Sequence, residues 1–393
     1  MYISSIKELK QYKVNVIIGV VFLFFVLGIS SRYIPNAHLV QKSVLLFTCI
    51  ALIINLGFDN KYRANFFVYI GISVFCYLLS DQNYGSVKLS VFIKALVGFS
   101  LLYVILMVDF GPRIRSLSTA FVLLPIFMVI FSLMANLVFN VPISSSNGRF
   151  GAGLSSAHFA FLMYFVVVFL VYESYSSNRL NLFLLSFSFI LLLLSGSRGP
   201  LIAALIPMVL LLKFVRYKSI ATKLIIMSPL AMLVIAKFVM SIIERTKLST
   251  FEGGGGINLS GREFAWEYFL NQIQGSNFFG GTLGAITQIT EGVKEFNLYL
   301  FTVPHNEFIR FYIELGIVGV VVFFTNIFSV YLKTYKLSSY RTRRFLRYMF
   351  FGFFILTVFD NSLSTLQSFV PLALLLKYIN FRESNNEQHS NSG

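Results

Sequence analysis

The sequence is poor in charge for its length. Only 12% of the 393 residues are Asp, Glu, Lys or Arg, whereas a soluble globular domain carries about 25%. This shortage excludes an ordinary water-soluble domain, because too few polar side chains remain to cover its surface. Apolar residues take their place, since 56% of the chain is hydrophobic and 45 residues are Phe.

Cysteine is scarce as well. Cys49 and Cys76 are the only two, and because both fall within apolar runs we interpret them as core residues. The apolar runs are continuous and lack the alternation of apolar and polar residues that barrel strands need, which excludes a transmembrane β-barrel. Their length, about 20 residues, is what a helix needs to cross a bilayer core of about 30 Å. The predicted fold class is therefore all-α, a polytopic transmembrane bundle.

Hydropathy predicts twelve spans, an even number that puts both termini on one side of the membrane. The second span contains Lys42 and the twelfth is interrupted by Pro371. The predicted spans are 14–30, 40–58, 64–80, 89–108, 117–138, 156–172, 180–195, 199–215, 220–242, 308–332, 345–359 and 365–379.

The net charge of +16 follows topology and does not indicate nucleic-acid binding. Basic residues concentrate in the short segments 61–63, 113–115, 216–218 and 333–347, all on the side of the termini. The positive-inside rule makes this side cytoplasmic. We therefore expect a multi-pass protein of the bacterial inner membrane, in contact with the lipid bilayer, with both termini in the cytoplasm.

One large loop, about 243–305, lies on the opposite, periplasmic side. It begins with the run Gly253–Gly256, and Ser260 with Glu263 forms a capping box that starts a helix. The apolar residues that follow, with Trp266, predict a short amphipathic helix at the membrane surface. We expect residues 1–382 to form a single membrane domain and residues 383–393 to be a disordered cytoplasmic tail, because the tail is rich in Asn and Ser.

Arg198 is the sharpest functional candidate. It lies in a tight break, Ser195 to Pro200, between two apolar spans, so its guanidinium should face a polar cavity near the outer surface. Arginine offers a planar fork of donors suited to phosphate oxygens. Headgroup contact or pairing with a carboxylate is the structural alternative. Arg149 and Arg262 are further outward arginines that suit a diphosphate, and simple anchoring at the interface is the alternative for Arg149.

His305 is the candidate proton acceptor. It follows the large loop and stands at the start of span ten, where the helix dipole favours a neutral imidazole. Glu307 and Glu314 are weaker alternatives for the same role. Asn306 either orients the acceptor or caps the helix. His158, just inside span six, is interpreted as a core residue, and His38 as a loop residue without a special role.

These residues resemble a known family. His305-Asn306 followed after nine residues by Gly316 and Gly319 is similar to the His-Asn…Gly-x-x-Gly signature of the O-antigen ligase and polymerase superfamily. The break Ser197–Gly199, the pair Gly261-Arg262 and the segment Asn277–Gly281 also resemble that family, in its order. We expect Gly316 and Gly319 to allow close helix packing.

The resemblance implies a membrane glycosyltransferase of GT-C type that acts on undecaprenyl diphosphate-linked glycans at the periplasmic face, by inversion and without a metal or other cofactor. In that reaction Arg198, with Arg149 or Arg262, would hold the donor diphosphate, and His305 would be the base. We favour polymerisation of O-antigen or related repeat units. Ligation of the glycan to lipid A–core is the alternative within the family.

A lipid-linked glycan flippase or other transporter is the alternative from another class, since it would also be apolar with arginines lining a cavity. It would be expected to carry internal repeats and a basic path through the bilayer centre, neither of which the sequence indicates. The pathway that the resemblance implies adds a chain-length regulator and a flippase as candidate partners.

Overall fold

The computed structural model describes residues 6–30, 33–80, 87–144, 148–177, 180–211, 262–273, 277–292 and 303–391. Within these ranges the regular structure is helical, and the only extended pairings are the isolated bridges Phe58–Val108 and Ser144–Phe150. The all-α prediction is confirmed for this part of the chain. The predicted span 220–242, the run Gly253–Gly256 and Ser260 of the predicted capping box lie outside the described residues.

The α-helices are numbered here in chain order over the described residues. Short π or 3-10 segments follow α1, precede α3 and follow α8, at Phe24–Gly28, Asn60–Tyr62 and Val209–Leu211. The helices are α1 Ile6–Leu23, α2 Ala37–Leu56, α3 Arg63–Leu78, α4 Leu89–Met107, α5 Arg113–Phe139, α6 Ser156–Ser177, α7 Leu182–Leu194, α8 Arg198–Met208, α9 Arg262–Asn271, α10 Ala285–Gly292, α11 Glu307–Lys336, α12 Tyr340–Phe359 and α13 Leu366–Asn391.

In the part of the chain that the structure describes, six helical segments are long and apolar enough to cross a membrane: Lys10–Gly28, α2, α4, α5, α6 and α11. The protein is therefore a helical membrane protein, while the count of twelve spans stays a prediction. The two spans with irregular sequences both form helices. Lys42 lies within α2, and Pro371 lies inside α13 without ending it.

Helix α6 forms the centre of the bundle. Every residue from Phe159 to Tyr172 is buried, as expected for a helix that is apolar on all sides. It packs against α5, α7, α8, α12 and α13. Helices α8 and α12 also approach each other closely, because a Cβ added at Gly352 would lie 2.6 Å from the Ala203 carbonyl oxygen. The start of α8 lies beside the end of α12, because a Cβ at Gly199 would lie 3.9 Å from Phe359 Cβ.

Helix α11 is broken at Gly316, whose φ of 66° lies in the left-handed region. The segment 277–281 fills the break, because the Gly281 N–H donates to Ile313 O (2.8 Å) and the Ile317 N–H donates to Asn277 O (3.0 Å). A Cβ at Gly316 would overlap Phe278 O. Gly316 is therefore needed for a helix break, and the expectation that it serves helix packing is wrong.

Gly319 serves mainly the same break. A Cβ placed there would overlap Leu315 Cβ of α11 at 2.2 Å, whereas Cys76 Sγ on α3 would be at an ordinary contact distance of 3.4 Å.

The bundle has two ends, each named after one of its residues. The His305 end is where α8, α11 and α13 begin, and the Lys377 end lies around Asp59, Lys61 and Lys377. Helix α13 extends the Lys377 end, where the buried Glu383 accepts hydrogen bonds from the Ser339 N–H (2.5 Å) and the Thr342 hydroxyl (2.8 Å). Helical structure thus continues past residue 382, where the sequence predicts a disordered tail.

Candidate functional site at the His305 end

His305 stands just before α11 with a φ of 51°, a left-handed conformation that is uncommon for a residue with a Cβ. Asn306 begins the helix, because its side-chain oxygen accepts from the N–H groups of Phe308 (2.9 Å) and Ile309 (3.1 Å). Of the two roles left open for Asn306, the structure shows capping. Trp266 on α9 holds the approach to this turn, since its Nε1–H donates to Pro304 O at 2.6 Å.

Asp360 lies between His305 and Arg262. Its Oδ1 is 3.3 Å from His305 Nδ1 and its Oδ2 is 3.6 Å from Arg262 Nη2. The Asp360 side chain is 8% exposed and that of His305 is 31% exposed, so the carboxylate is enclosed while the imidazole keeps an open side. When Nδ1 carries the proton that it donates to Asp360, Nε2 presents a free lone pair.

Glu307 is fully buried and holds the loop that follows α12. Its Oε1 accepts from the N–H groups of Leu363 (2.7 Å) and Ser364 (3.1 Å). This anchor fixes the loop that carries Asp360. Since the carboxylate is enclosed by protein, an incoming hydroxyl does not reach Glu307 as readily as it reaches His305.

Glu314, the other alternative acceptor, is also fully buried. Its Oε2 lies 3.5 Å from Arg310 Nε, and its Oε1 accepts from the Gly284 N–H at 3.2 Å. The Arg310 guanidinium lies over the Phe99 ring, 5.0 Å from its centre. Glu314 therefore joins α11 to the turn before α10 and is remote from solvent.

The arginine candidates Arg149 and Arg198 meet at the break between α7 and α8. Gly196 has a φ of 64°, and the absence of a side chain there lets Arg149 lie across it, with Cγ 3.4 Å and Nε 3.6 Å from the position of a Cβ. The Phe150 N–H donates to Leu194 O (3.1 Å) and fixes the Arg149 turn to the end of α7. The Nη2 atom of Arg198 is buried and has no hydrogen-bond partner among the residues that the structure describes.

The contact between α8 and α12 brings the arginines toward Asp360. A Cβ at Gly199 would lie 3.9 Å from Phe359 Cβ, and Phe359 directly precedes Asp360. Arg149, Arg198, Arg262, His305 and Glu307, all predicted from the sequence, therefore occupy one end of the bundle. Arg262 and His305 share Asp360 as a side-chain partner.

Two residues of this end escaped the sequence analysis. Asp360 was not predicted, although a carboxylate directly after an apolar span was a usable signal. His158 was interpreted as a core residue, and this is wrong, because its exposed side chain lines a cavity with Ser155 and Ser364.

The helix predicted near Trp266 exists as α9, but its apolar residues face the protein. Ala265 and Phe269 are fully buried against Ile286 and Ile313. Leu270 is exposed. Helix α9 therefore braces the start of α11, and Arg262 at its first position reaches Asp360.

Comparison with known proteins identifies one segment. Residues 182–324 match the family model described as O-Antigen ligase. The matched range contains Arg198, Arg262, His305 and the break at Gly316, and the resemblance seen in the sequence is confirmed over it. No curated protein matches the chain significantly.

Proposed function

We propose that this protein is an inner-membrane glycosyltransferase that polymerises undecaprenyl diphosphate-linked repeat units of O-antigen or a related polysaccharide at the periplasmic face. The family match supports ligase- or polymerase-type glycosyl transfer. The transfer is inverting and does not use a metal ion. Polymerase is preferred to ligase on the composition of the chain, which is rich in Phe, Ile, Asn, Lys and Tyr.

The observation that carries the proposal is the His305–Asp360 pair beside the arginine-bearing break. A half-open imidazole on an enclosed carboxylate is the arrangement of an oriented general base. Arg198 adds a buried guanidinium nitrogen without a partner among the described residues, which is a ready donor to a phosphate oxygen.

In the proposed reaction, Nε2 of His305 takes the proton from the acceptor sugar hydroxyl. The acceptor oxygen then forms a bond to the anomeric carbon of the donor while the bond from that carbon to the diphosphate oxygen breaks. The diphosphate leaves with the electron pair of that bond. Arg198 and Arg149 stabilise the charge that develops on it. Asp360 is a positioning residue that holds Nδ1–H and stabilises the imidazolium.

The remaining candidates take supporting roles in this scheme. Arg262 is paired with Asp360 at 3.6 Å, so it balances the carboxylate and assists the diphosphate only secondarily. Glu307, named in the sequence analysis as the alternative base, fixes the loop after α12 through its two backbone hydrogen bonds. A chain-length regulator and a flippase of the same pathway are proposed partners.

Ligation to lipid A–core is the second candidate, because the matching family model is described as O-Antigen ligase. Polymerase and ligase share the donor and the base and differ in the acceptor. A transporter, the alternative of another class, has no need for an oriented base, so the His305–Asp360 pair favours transfer over transport.

Electrophoresis of lipopolysaccharide from a deletion strain tests the function. One repeat unit on the core identifies a polymerase, and a bare core identifies a ligase. A normal ladder would contradict both assignments.

Complementation of that strain with His305→Asn tests the base. Asn tolerates the left-handed backbone that His305 adopts, so the substitution removes the imidazole with little strain. We expect the variant to accumulate normally in the membrane and to lose about 10²–10⁴ in rate. Activity close to wild type would remove His305 as base and direct attention to Glu307.

A further inference from the structure

A second group of cations lines a cavity that the proposed donor site does not use. The cavity, of about 510 Å³, lies between α2, α4 and the first turn of α11. Lys42, Lys94, Arg310 and His38 line it, and none of the described residues that line it is Asp or Glu. All four lie near the beginnings of their helices, at the His305 end.

The lysines are placed in the cavity by the packing of α2 on α4. Lys42 Nζ is 3.1 Å from the position that a Cβ would occupy at Gly98, so the glycine makes room for the ammonium. Among the described residues the cavity charge is only partly balanced, because Glu314 pairs with Arg310 at 3.5 Å and no carboxylate forms an ion pair with Lys42 or Lys94. Cations on transmembrane helices are costly, so such a cluster indicates an anionic ligand.

The surroundings of the cavity indicate that this anion is carried by a lipid. Leu39 and Ile93 also line it, and these side chains are 49% and 47% exposed on helices that cross the membrane. A group of basic side chains among apolar ones, with an exposed apolar rim, matches an amphiphile whose head is phosphorylated and whose tail lies in the bilayer.

The cavity continues toward the proposed reaction centre. A neighbouring cavity of about 320 Å³ shares His38, Lys42 and Ser364 with it and extends to Ser155 and His158. The Ser364 N–H donates to Glu307 Oε1, two residues from His305. On the other side, the Ser197 hydroxyl donates to Ser156 O (3.4 Å) next to Arg198. The cations of the cavity and Arg198 thus flank the loop held by Glu307.

We propose that this cavity is the acceptor site and binds the phosphate or diphosphate head of a second phosphorylated glycolipid, separate from the donor held at Arg198. The inference rests on the proposed function for its assignment to an acceptor. A polymerase acceptor carries a lipid diphosphate, and a lipid A–core acceptor carries phosphates on its lipid, so both present the same chemistry to the lysines.

Lipid stoichiometry tests the proposal. The purified full-length protein is placed in nanodiscs of phosphatidylcholine, and bound undecaprenyl diphosphate is counted by native mass spectrometry. We expect wild type to bind two lipids, Arg198→Ala one, and Lys94→Gln or Lys42→Gln one at the same concentration. Lys88→Gln is the matched control, because Lys88 is exposed just before α4 and does not line the cavity.

Kinetics give a second measurement that does not depend on counting. Losing one charge-assisted contact should raise the acceptor KM about tenfold or more in Lys94→Gln, with the donor KM unchanged. Lys94 is exposed, so this variant should fold even where Lys42→Gln does not. One bound lipid in wild type, or an unchanged acceptor KM in Lys94→Gln, would overturn the acceptor site.

The set of variants distinguishes failure of the acceptor site from failure of the proposed donor site. If the lysine variants lose a lipid while Arg198→Ala keeps both, the acceptor cavity stands and the donor clamp fails. If Arg198→Ala alone loses a lipid, the acceptor cavity fails and the clamp stands. Inorganic pyrophosphate offered alone distinguishes a free anion from a lipid head, and equal affinity for pyrophosphate would overturn the glycolipid assignment.

Discussion

The two ends of the bundle differ in how fully their charges are paired. At the Lys377 end, Lys377 Nζ lies 2.7 Å from Asp59 Oδ2, and Arg382 Nη1 lies 2.6 Å from Glu173 Oε1. At the His305 end, the Nη2 atom of Arg198 is buried without a hydrogen-bond partner among the described residues. Charges of the first kind are satisfied by the fold itself. Charges of the second kind cost stability and are explained by a ligand.

The polar network at the Lys377 end extends into neutral residues. Lys333 Nζ donates to Asn65 Oδ1 (2.6 Å), and Lys61 Nζ donates to Asn380 Oδ1 (3.0 Å). Each of these lysines has an acceptor from a different helix or loop. Such cross-links join α3, α11 and α13, so the charges at this end serve the assembly of the bundle.

The largest effect is expected when one arginine is replaced at each end of the bundle and the two variants are compared. Arg198→Ala should reduce transfer by about 10²–10³, the usual cost of one lost donor to a developing anion, with normal amounts of membrane-inserted protein. Arg382→Ala breaks the pair with Glu173 and should lower thermal stability while turnover per folded molecule is retained. Both are measured on purified protein with a lipid-diphosphate donor.

The arginine at the His305 end should also be sensitive to replacement by lysine. Arg198→Lys should rescue poorly, because an ammonium cannot make two parallel hydrogen bonds to a phosphate. Near-normal transfer by Arg198→Ala, or an equal loss of turnover in Arg382→Ala, would erase the distinction between the two ends.

An intermediate effect is expected for Asp360→Asn. The amide keeps the shape of the side chain and removes the charge that stabilises the His305 imidazolium, so kcat should fall by about 10²-fold. The KM values for donor and acceptor should stay near those of wild type, because Asp360 acts through His305 and positions the imidazole. A loss of folded protein in the membrane, with normal kcat in the molecules that remain, would show that Asp360 is a merely structural residue.

The smallest effect concerns Lys61 at the Lys377 end. Burial lowers the pKa of Lys61 from 10.5 to about 8. Between these values the unfolded chain holds more protons at this position than the folded protein, so the contribution of Lys61 to stability rises with pH through that window and is least favourable below pH 8.

The measurement compares wild type with Lys61→Met. The free energy of unfolding of wild type relative to Lys61→Met should increase by about 1 kcal/mol from pH 8 to pH 10.5, because partial exposure screens the full shift. Thermal unfolding in detergent gives this difference, and turnover should be unaffected. A difference that does not change with pH would show that Lys61 keeps its charge in the folded protein throughout.

The sequence predicted what depends on local pattern. Apolar runs located the helices, and the residues after the large loop located His305 at a helix start. What depends on tertiary contact escaped prediction. Asp360 acquires its importance from a turn 55 residues away in the chain, and Gly316 from a segment that inserts into its helix.

Charged residues in apolar helices show the same difference between what the local sequence predicts and what depends on tertiary contact. In the sequence, Lys42 and Lys94 are single charges within the predicted spans 40–58 and 89–108, and hydropathy records only that a charge interrupts an apolar run. Their common cavity exists only once α2 packs on α4, with Gly98 beneath the ammonium of Lys42. Several cations that look isolated in sequence can therefore be one site in space.

The hydrogen bonds across the break at Gly316 set the boundaries at which the protein can be recombined. Residues 277–281 bond to Ile313 on one side of the break and to Ile317 and Val318 on the other. Residues 277–281 therefore pack as part of α11, although they precede this helix in the chain. A chimera that takes its large loop from a relative should therefore have its junction before Asn277, so that residues 277–319 all come from the same parent protein. A junction between Gly281 and Pro304 would combine residues 277–281 of the relative with the Gly316 break of this protein. The mismatch would displace His305.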